Sequence, residues 1–563
     1  METIPVSGAL SLRRGPGCWT MSEHADDIPN TPDDPAGDPP RRRASDRQEP
    51  PTPDYASPEF AAPNIGDEDE GGLDGLRSRA INSGIWSFAG YLTQQGLRFG
   101  GNVALFWIFA HNLRGTDNDP AAIFGIMALV NIAVQGLQMF SDVGIGPAII
   151  QNPRGDDKAF LNTAWTIQVL RGIALWLIGC AIAYPAAWIY DTPELIYLVP
   201  VVAINALFRG FDHTAIFQLN RKLQLGKVVA LQTLQQIISV ILMIVWAQFI
   251  SSDVWALAVP VVASTLIYTV LTHTFLGKGD GRKLQWDQSA AQELLKFGKW
   301  IFVSTTLTFL ALQTDRLVFG AQVSKAELGV YTIALMFASL PVMIIQKLGG
   351  QVLFPGYARL QHDRPRFDQV YHKVHKAVLM AGALTVAGLF AAGRPMIELI
   401  YPPEAHEAGW MLQLLAIMAW FQVIGEPIRS AILALGKPMW LAVANAGKVI
   451  SLFAGVLMGF QVGSQIDYIT PIQGAILGVV LSELVRYALM AIAAHLENLP
   501  GLWLDAWFTV LLMITAIGSA LAAFHIERST GSALLAMAVA IVLVVATWAP
   551  LAARSVQKAR KRE

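Results

Sequence analysis

The chain has 563 residues, 53% of them hydrophobic and only 15% charged, with a formal net charge of −1 and a mean hydropathy of +0.44. That balance excludes an ordinary soluble domain and fits an all-α polytopic membrane protein. It also argues against nucleic acid as a partner, since no basic, aromatic-interleaved surface stretch follows a phosphate backbone. The two cysteines, Cys18 in a polar segment and Cys180 in an apolar run, suggest neither a disulfide framework nor a thiol metal site.

Residues 1–80 are rich in Pro, Asp, Glu, Arg and Ser, as in PNTPDDPAGDPPRRRASD, and hold too few large apolar groups to offset the entropy of ordering. They are expected to form a disordered cytoplasmic tail, a solvated extension rather than a partner-binding segment. No apolar run follows the early arginines, so a signal peptide is not expected, and Met21 is an alternative start to Met1.

From Asn82 onward, apolar runs of transmembrane length alternate with short polar breaks, and about fourteen helices are predicted. Six cover roughly 83–110, 121–150, 161–189, 194–219, 228–250 and 254–276. Six more cover roughly 297–322, 327–355, 374–393, 408–435, 438–461 and 471–495, and a last pair covers 503–524 and 531–552. Basic residues alternate along the connections. Arg77, Arg79, Arg154, Lys158, Arg221, Lys222, Lys227, Lys278–Lys299, Arg359–Lys376, Lys437 and Arg554–Arg562 fall on one side, while the breaks DTPEL, ISSD, YPPEAHE and QVGSQID carry no Lys or Arg. By the positive-inside rule the first group is cytoplasmic, as are both termini.

An internal repeat is visible. GIW at Gly84 is answered by GKW at Gly298, AAIFGIMAL at Ala121 by KAELGVYTIAL at Lys325, and LGK at Leu225 by LGK at Leu435. The spans therefore divide into a lobe at 81–277, a cytoplasmic connection at 278–296 and a second lobe at 297–496, followed by two helices at 497–553 and a basic tail at 554–563. Six spans per lobe is an even number, so the lobes should be related by a pseudo-twofold axis along the membrane normal, with a cavity at their junction.

Polar residues within these spans are expensive. A charge at the bilayer centre costs roughly 2.5–3.5 kcal/mol on insertion scales, so it should face protein or water. In the first span Gln94, Arg98 and Asn102 recur every four residues, a polar stripe on one helical face, with Tyr91 just before it. The Arg98 guanidinium suits bidentate phosphate binding, the alternative being a pair with a carboxylate of a neighbouring helix. The fourth span carries Asn205, Arg209, Asp212 and His213, and the tenth carries Gln422, Glu426 and Arg429 with Pro427. Both sets mix acid and base on one face, so self-neutralising pairs compete with a substrate role. In the seventh span, Asp315 and Arg316 sit within an apolar run, as a substrate- or ion-handling pair or as a structural lock between helices. Arg171, Lys347, Lys448, Glu483 and Arg486 rank lower, as structural or snorkelling groups. The histidines of RLQHDRPRFDQVYHKVHK have no familiar metal spacing and belong to an amphipathic cytoplasmic helix. No Gly-rich nucleotide loop follows a strand, so ATP coupling is not supported.

FSDVGIGPAIIQ (140–151), DRLVFG (315–320) followed by LGVYTIAL (328–335), LFPGYARLQ (353–361) and ALGKP (434–438) together resemble the polysaccharide transporter family. These are the Wzx-type exopolysaccharide and O-antigen flippases of the multidrug/oligosaccharidyl-lipid/polysaccharide exporter superfamily. The resemblance covers about residues 82–500. It implies a two-lobed helical transporter, not an enzyme, that flips an undecaprenyl-diphosphate-linked repeat unit across the bacterial inner membrane by alternating access. Asp142 and Gly144 match the second-span motif, and Asp315, Gly329 and Tyr331 match that of the seventh and eighth spans. The expected substrate-binding residues are then Arg98, Gln94, Asn102, Arg209 and Arg429, and the coupling or gating residues Asp315, Arg316, Glu426, Asp212 and Asp142. No metal site or cofactor is expected, beyond a coupling H+ or Na+. Partners are the lipid-linked oligosaccharide, membrane lipids, and a polysaccharide polymerase and co-polymerase. The rival readings are a cation-coupled multidrug exporter of the same superfamily and a membrane-bound polymerase or ligase, against which the short outer loops argue.

Overall fold

The computed structural model describes residues 73–560, apart from 117, 141–144, 153, 223 and 278–282. Residues 1–72, Asp142 and Gly144, and the last three residues therefore lie outside the described residues, as do the expectations placed on them. Every regular element described is helical. In chain order these are α1 (Leu73–Asn112), α2 (Pro120–Phe140), α3 (Ile145–Gln151), α4 (Lys158–Ile189), α5 (Leu195–Gly210) and α6 (Ala215–Arg221). Then come α7 (Gly226–Phe249), α8 (Trp255–Leu271), α9 (Gln288–Gln322), α10 (Lys325–Leu348), α11 (Phe354–Ala358) and α12 (Arg364–Ile400). The chain ends with α13 (Ala408–Ala434), α14 (Met439–Gln465), α15 (Pro471–Leu496), α16 (Leu502–Thr530) and α17 (Ala533–Arg560).

Among the described residues eleven helices are long and apolar enough to cross a membrane, and the bent pair α5–α6 makes a twelfth. The chain is a multi-pass membrane protein. α1 has 40 residues and α9 has 35. They are the helices that carry the Gln94–Arg98–Asn102 stripe and the Asp315–Arg316 pair.

Polar caps start several helices. The Asp157 side chain accepts from the Ala159 N–H, while Ser324 with Glu327 and Thr470 with Gln473 form capping boxes at the N-termini of α10 and α15. Several boundaries differ from expectation: α9 begins at Gln288 rather than near 297, and α12 at Arg364 rather than near 374. α1 begins at Leu73, inside the segment assigned to the tail, and the fourth span is not one helix: it breaks after Gly210 and turns by 61° into α6. The break follows from Arg209, Asp212 and His213, whose polar groups sit better at a helix end than in an apolar helix interior.

Packing repeats along the chain. α1 packs on α7, α4 on α5, α5 on α8, α7 on α8 and α2 on α5; in the second half α9 packs on α14, α12 on α13, α13 on α15, α14 on α15 and α10 on α13. α16 and α17 pack on each other and on α12. The repeat-related helices α2 and α10 meet at the ends away from the basic loops. A Cβ added to Gly125 would lie 1.8 Å from the Lys325 carbonyl oxygen, and one added to Gly329 would lie 1.9 Å from that of Ala121. The two contacts mirror each other, because Ala121 and Gly125 correspond in the repeat to Lys325 and Gly329. Only glycine lets the backbones approach this closely. Around the crossing lies one apolar core drawn from both halves, including Phe106, Phe109, Leu129, Tyr331, Phe337 and Tyr401.

At the basic end, the segment before α9 is tied to the start of α4. Gln285 N donates to Thr166 Oγ1 (3.0 Å), Thr166 Oγ1 to Gln285 O (3.0 Å), Asn162 Nδ2 to Gln285 Oε1 (3.0 Å) and Asp287 N to Thr163 Oγ1 (3.0 Å). Ala290, Ala291 and Leu294 of α9 complete a buried cluster with Ile145, Ile149, Phe160 and Leu161. Arg154 lies 3.0 Å from Asp287 and 3.3 Å from Glu293, and this guanidinium, with Ser289, holds the Asp287 carboxyl below its usual range.

The crossing is testable by substitution. Gly125→Ala should force the helices apart and cost about 1–3 kcal/mol as overpacking. Gly388→Ala, where a new Cβ meets nothing within 4 Å, should be neutral or slightly stabilising. Thermal unfolding of the two variants in detergent compares them directly.

Candidate functional site

Several polar regions interrupt the apolar interior of the described residues. The first is the seam between α1 and α10. Gln94 Nε2 donates to Thr233 Oγ1 of α7 (3.2 Å), whereas Gln95 Nε2 reaches Met343 Sδ (3.3 Å) and Asn102 Nδ2 reaches Met336 Sδ (3.2 Å), both on α10. The predicted stripe thus divides: Gln94 ties α1 to its own half, and Asn102 spans to the other. Thioether sulfur is a weak acceptor, so the spanning contacts are weak. Arg98 is exposed between them and has no hydrogen-bond or ion-pair partner among the described residues. Lys347 Nζ sits 5.6 Å from the Tyr91 ring centroid, a cation–π contact across the same seam.

The second region is a cavity of about 380 Å³ among α2–α8, lined by Arg171, Arg209, Asp212, Gln168, Gln232 and Tyr268 with others. Its shape comes from the broken helix. Gly172 and Gly210 bring α4 and α5 into backbone contact, since a Cβ on Gly172 would lie 2.9 Å from the Ala206 carbonyl. That closeness lets Gln168 Nε2 donate to the Arg209, Gly210 and Asp212 carbonyls at 3.0, 3.2 and 3.1 Å. Those carbonyls are left open by the helix end. Arg209 is exposed, Asp212 is buried and accepts from Thr269 Oγ1 at 2.7 Å, and Arg171 donates to the Gln138 carbonyl at 3.1 Å. His213 is a satisfied buried histidine, its Nδ1 accepting from the Ala215 N–H at 3.0 Å.

The third region lies between α13, α14 and α15. Glu426, 3% exposed, takes a bidentate contact from Arg429 Nε (2.8 Å) and Nη2 (2.5 Å), with Gly349 packed so closely that a Cβ would overlap the carboxylate. Arg429, expected at the substrate, therefore has its planar fork engaged by the i−3 carboxylate. Glu483 is completely buried and meets Lys448 Nζ at 2.7 Å, Gln422 Nε2 at 3.2 Å and Arg486 Nε.

Asp315 and Arg316 do not pair with each other. Neighbours in a helix point apart. Asp315 Oδ2 accepts from Tyr331 of α10 at 2.7 Å while its buried Oδ1 has no partner, and Arg316 Nη1 donates to Gln313, which bridges to Gln135 of α2 at 2.7 Å. Asp142 lies outside the described residues. The histidine-rich stretch runs straight into α12, and His375 is buried there, its Nε2 2.5 Å from Asp505 Oδ1, with Tyr487 donating to the other oxygen at 2.7 Å. No group of three metal-ligating side chains is present among the described residues.

The arrangement brings Arg209 and Asp212 together in one cavity and keeps Arg98, Arg429 and Asp315 apart from it. Sequence reading passed over Gln95, Gln168 and the cavity role of Arg171. For the last two a signal existed, since Gln168 and Arg171 are three residues apart on one face of α4.

Residues 120–407, just over half of the chain, match the family described as "Polysaccharide biosynthesis protein". The chain is 21% identical over 452 residues to the lipopolysaccharide biosynthesis protein WzxC of Escherichia coli (strain K12), covering 78% of this chain and 87% of that one. It is 23% identical over 316 residues to the amylovoran biosynthesis protein AmsL of Erwinia amylovora, covering 55% and 79%. Among solved structures, the lipid II flippase MurJ in an inward closed conformation superposes with a TM-score of 0.63 at 12% identity, over 84% of this chain and 99% of that one. A multidrug resistance MATE family transporter of the MOP superfamily, inward-facing, gives 0.57 at 13% identity, over 72% and 94%. At these identities the structural likenesses establish the fold alone.

The Glu483 cluster should be structural. Glu483→Ala leaves the buried Lys448 and the half-buried Arg486 without their counter-charge, which should cost about 3–5 kcal/mol. A clear fall in the detergent melting temperature is expected, and a wild-type melting temperature would show that the carboxylate is dispensable to the fold.

Proposed function

The chain belongs to the polysaccharide biosynthesis protein family, and on that premise we propose that it flips an undecaprenyl-diphosphate-linked oligosaccharide across the bacterial inner membrane. It acts as a transporter rather than as a polymerase or ligase. The observation that carries this reading is Arg98: exposed and unpartnered in the α1–α10 seam, whereas Arg429, Arg486 and Lys448 each lie against a carboxylate. A guanidinium without a counter-charge in a membrane protein calls for an anion from outside the chain, and a diphosphate presents the oxygens its fork recognises. Gln94 and Asn102 flank it. The prenyl chain stays in lipid beside the seam.

Translocation on this reading is alternating access between two six-helix lobes, with α16 and α17 appended and both termini cytoplasmic. The repeated packing order of the two halves supports that division, and the weak amide–thioether contacts at the seam suit surfaces that must part. The mirrored glycine crossing would form the outer closure, which has to separate for the substrate to leave. For coupling, Asp315 has an unpartnered carboxylate oxygen and Asp212 faces the cavity, so each has capacity for H+ or Na+. Glu426 already holds its counter-charge in Arg429. A polymerase and co-polymerase would receive the product.

The test is flipping of a fluorescent prenyl-diphosphate sugar by protein reconstituted in liposomes. Losing a charge-assisted contact worth about 1.5–3 kcal/mol, Arg98→Ala should slow flipping about ten-fold or more, and Arg98→Lys should recover part of the rate. Wild-type flipping by Arg98→Ala at equal protein density would remove Arg98 from the mechanism.

A further inference from the structure

At the outer end, two hydrogen bonds between the halves follow the internal repeat. α4 and α12 are the third spans of their halves, and each ends there with carbonyl groups that have no intrahelical partner. In both cases a side chain of the opposite half donates to one of them. Lys325 Nζ, at the start of α10, donates at 2.6 Å to the carbonyl of Tyr190, the residue that caps α4, and at 3.3 Å to the Gly320 carbonyl of its own half. Trp107 Nε1, near the end of α1, donates at 2.8 Å to the carbonyl of Ile400, the last residue of α12. The donors differ, but the acceptors lie at equivalent helix ends, so the same joint is made twice, once in each direction.

We propose that Lys325 and Trp107 are the latch of the outer closure: reciprocal helix caps that hold the halves together in this conformation and let go when the outer face opens. The inference rests on the transport reading and deepens it, because it names the side chains whose contacts must break for substrate to leave. Both caps adjoin other contacts between the halves. The Lys325 carbonyl is the one that meets Gly125 at the helix crossing, and Phe106, next to Trp107, packs its ring 5.4 Å from that of Tyr401, next to Ile400. Both caps are also cheap to undo. Trp107 is 45% exposed and Lys325 is half-buried, so water can replace each partner as the surfaces part, which a buried ion pair such as that of Glu483 does not allow. The Tyr190 carbonyl keeps a second donor within its own half, Thr192 Oγ1 at 2.9 Å, and is not orphaned on release. Asp191 and Glu194, beside Tyr190, attract the Lys325 ammonium from the first half and favour reclosure.

Labelling of a buried thiol by a membrane-impermeant maleimide, with the full chain in nanodiscs, tests this. Ala405→Cys in a Cys18→Ser/Cys180→Ser background puts the thiol at a fully buried position in the turn Pro403–Ala405, which packs on α2 of the first half, so its labelling rate follows the open fraction at the outer end. Lys325→Met, which keeps the stem and removes the donor, should raise that rate about ten-fold, and Trp107→Phe about three-fold, while Lys325→Arg should stay near the unmodified latch. Trp107→Phe keeps the test decisive if Lys325→Met does not fold. As a control, Ala431→Cys, buried among residues of the second half alone, should label at one rate whichever latch residue is changed. Labelling at position 405 unmoved in the folded latch variants, or accelerated equally at 405 and 431, would overturn the latch. Acceleration at 405 alone in protein that flips no prenyl-diphosphate sugar in liposomes would retire the transport reading and leave the latch standing, whereas normal flipping with labelling unmoved would retire the latch alone.

Discussion

The constraint on which this structure depends is the cost of an ionised group away from water. Lipid offers no compensating hydrogen bond, so each charge inside the spans needs a counter-charge, a polar neighbour or access to an aqueous space. Glu483 takes the first course with Lys448 and Arg486 around it, as does Glu426 with Arg429. Arg209 takes the last, opening into a cavity, and Arg98 is exposed at a seam. This division between neutralised and unneutralised cations separates groups that hold helices together from groups available to something else.

Much of this was legible from residue order. Apolar run lengths located the membrane-length helices, because the bilayer leaves few ways to satisfy a backbone, but they did not locate the starts of α1, α9 and α12, which begin about nine or ten residues earlier than the apolar runs. The i, i+4 spacing marked the polar face of α1, and the i, i+3 spacing marked the Glu426–Arg429 pair. Partner choice was not legible. Nothing in the order of residues says that Asp315 turns to Tyr331 and leaves Arg316 to Gln313, since that depends on where α10 and α2 lie. The break after Gly210 was also missed: hydropathy runs across it, and only the meeting of Gly172 with Gly210 lets Gln168 cap the exposed carbonyls.

The internal repeat has a physical counterpart in the packing. Equivalent helices contact equivalent helices in both halves, and one of the motifs that suggested duplication, AAIFGIMAL against KAELGVYTIAL, is one place where the halves touch. A contact made by a segment with its own repeat equivalent is self-complementary, so one small residue satisfies both sides at once. This is how a symmetric crossing is specified with little sequence. The polar residues have diverged more: Gln95 and Asn102 bridge α1 to α10, whereas Gln313 and Gln135 bridge α9 to α2.

The strap ahead of α9 has a mechanical consequence. With Gln285 and Asp287 laced to α4, and Ala290, Ala291 and Leu294 embedded among side chains of α3 and α4, the start of α9 is held against the first half at the basic end. The first turns of α9 are in effect a fixture of the opposite half, so any swing of one half against the other has to be absorbed as flexure along the α9 rod. The helix bearing Asp315 is then a spring leaf clamped at one end, and displacement at its root is felt at that carboxylate.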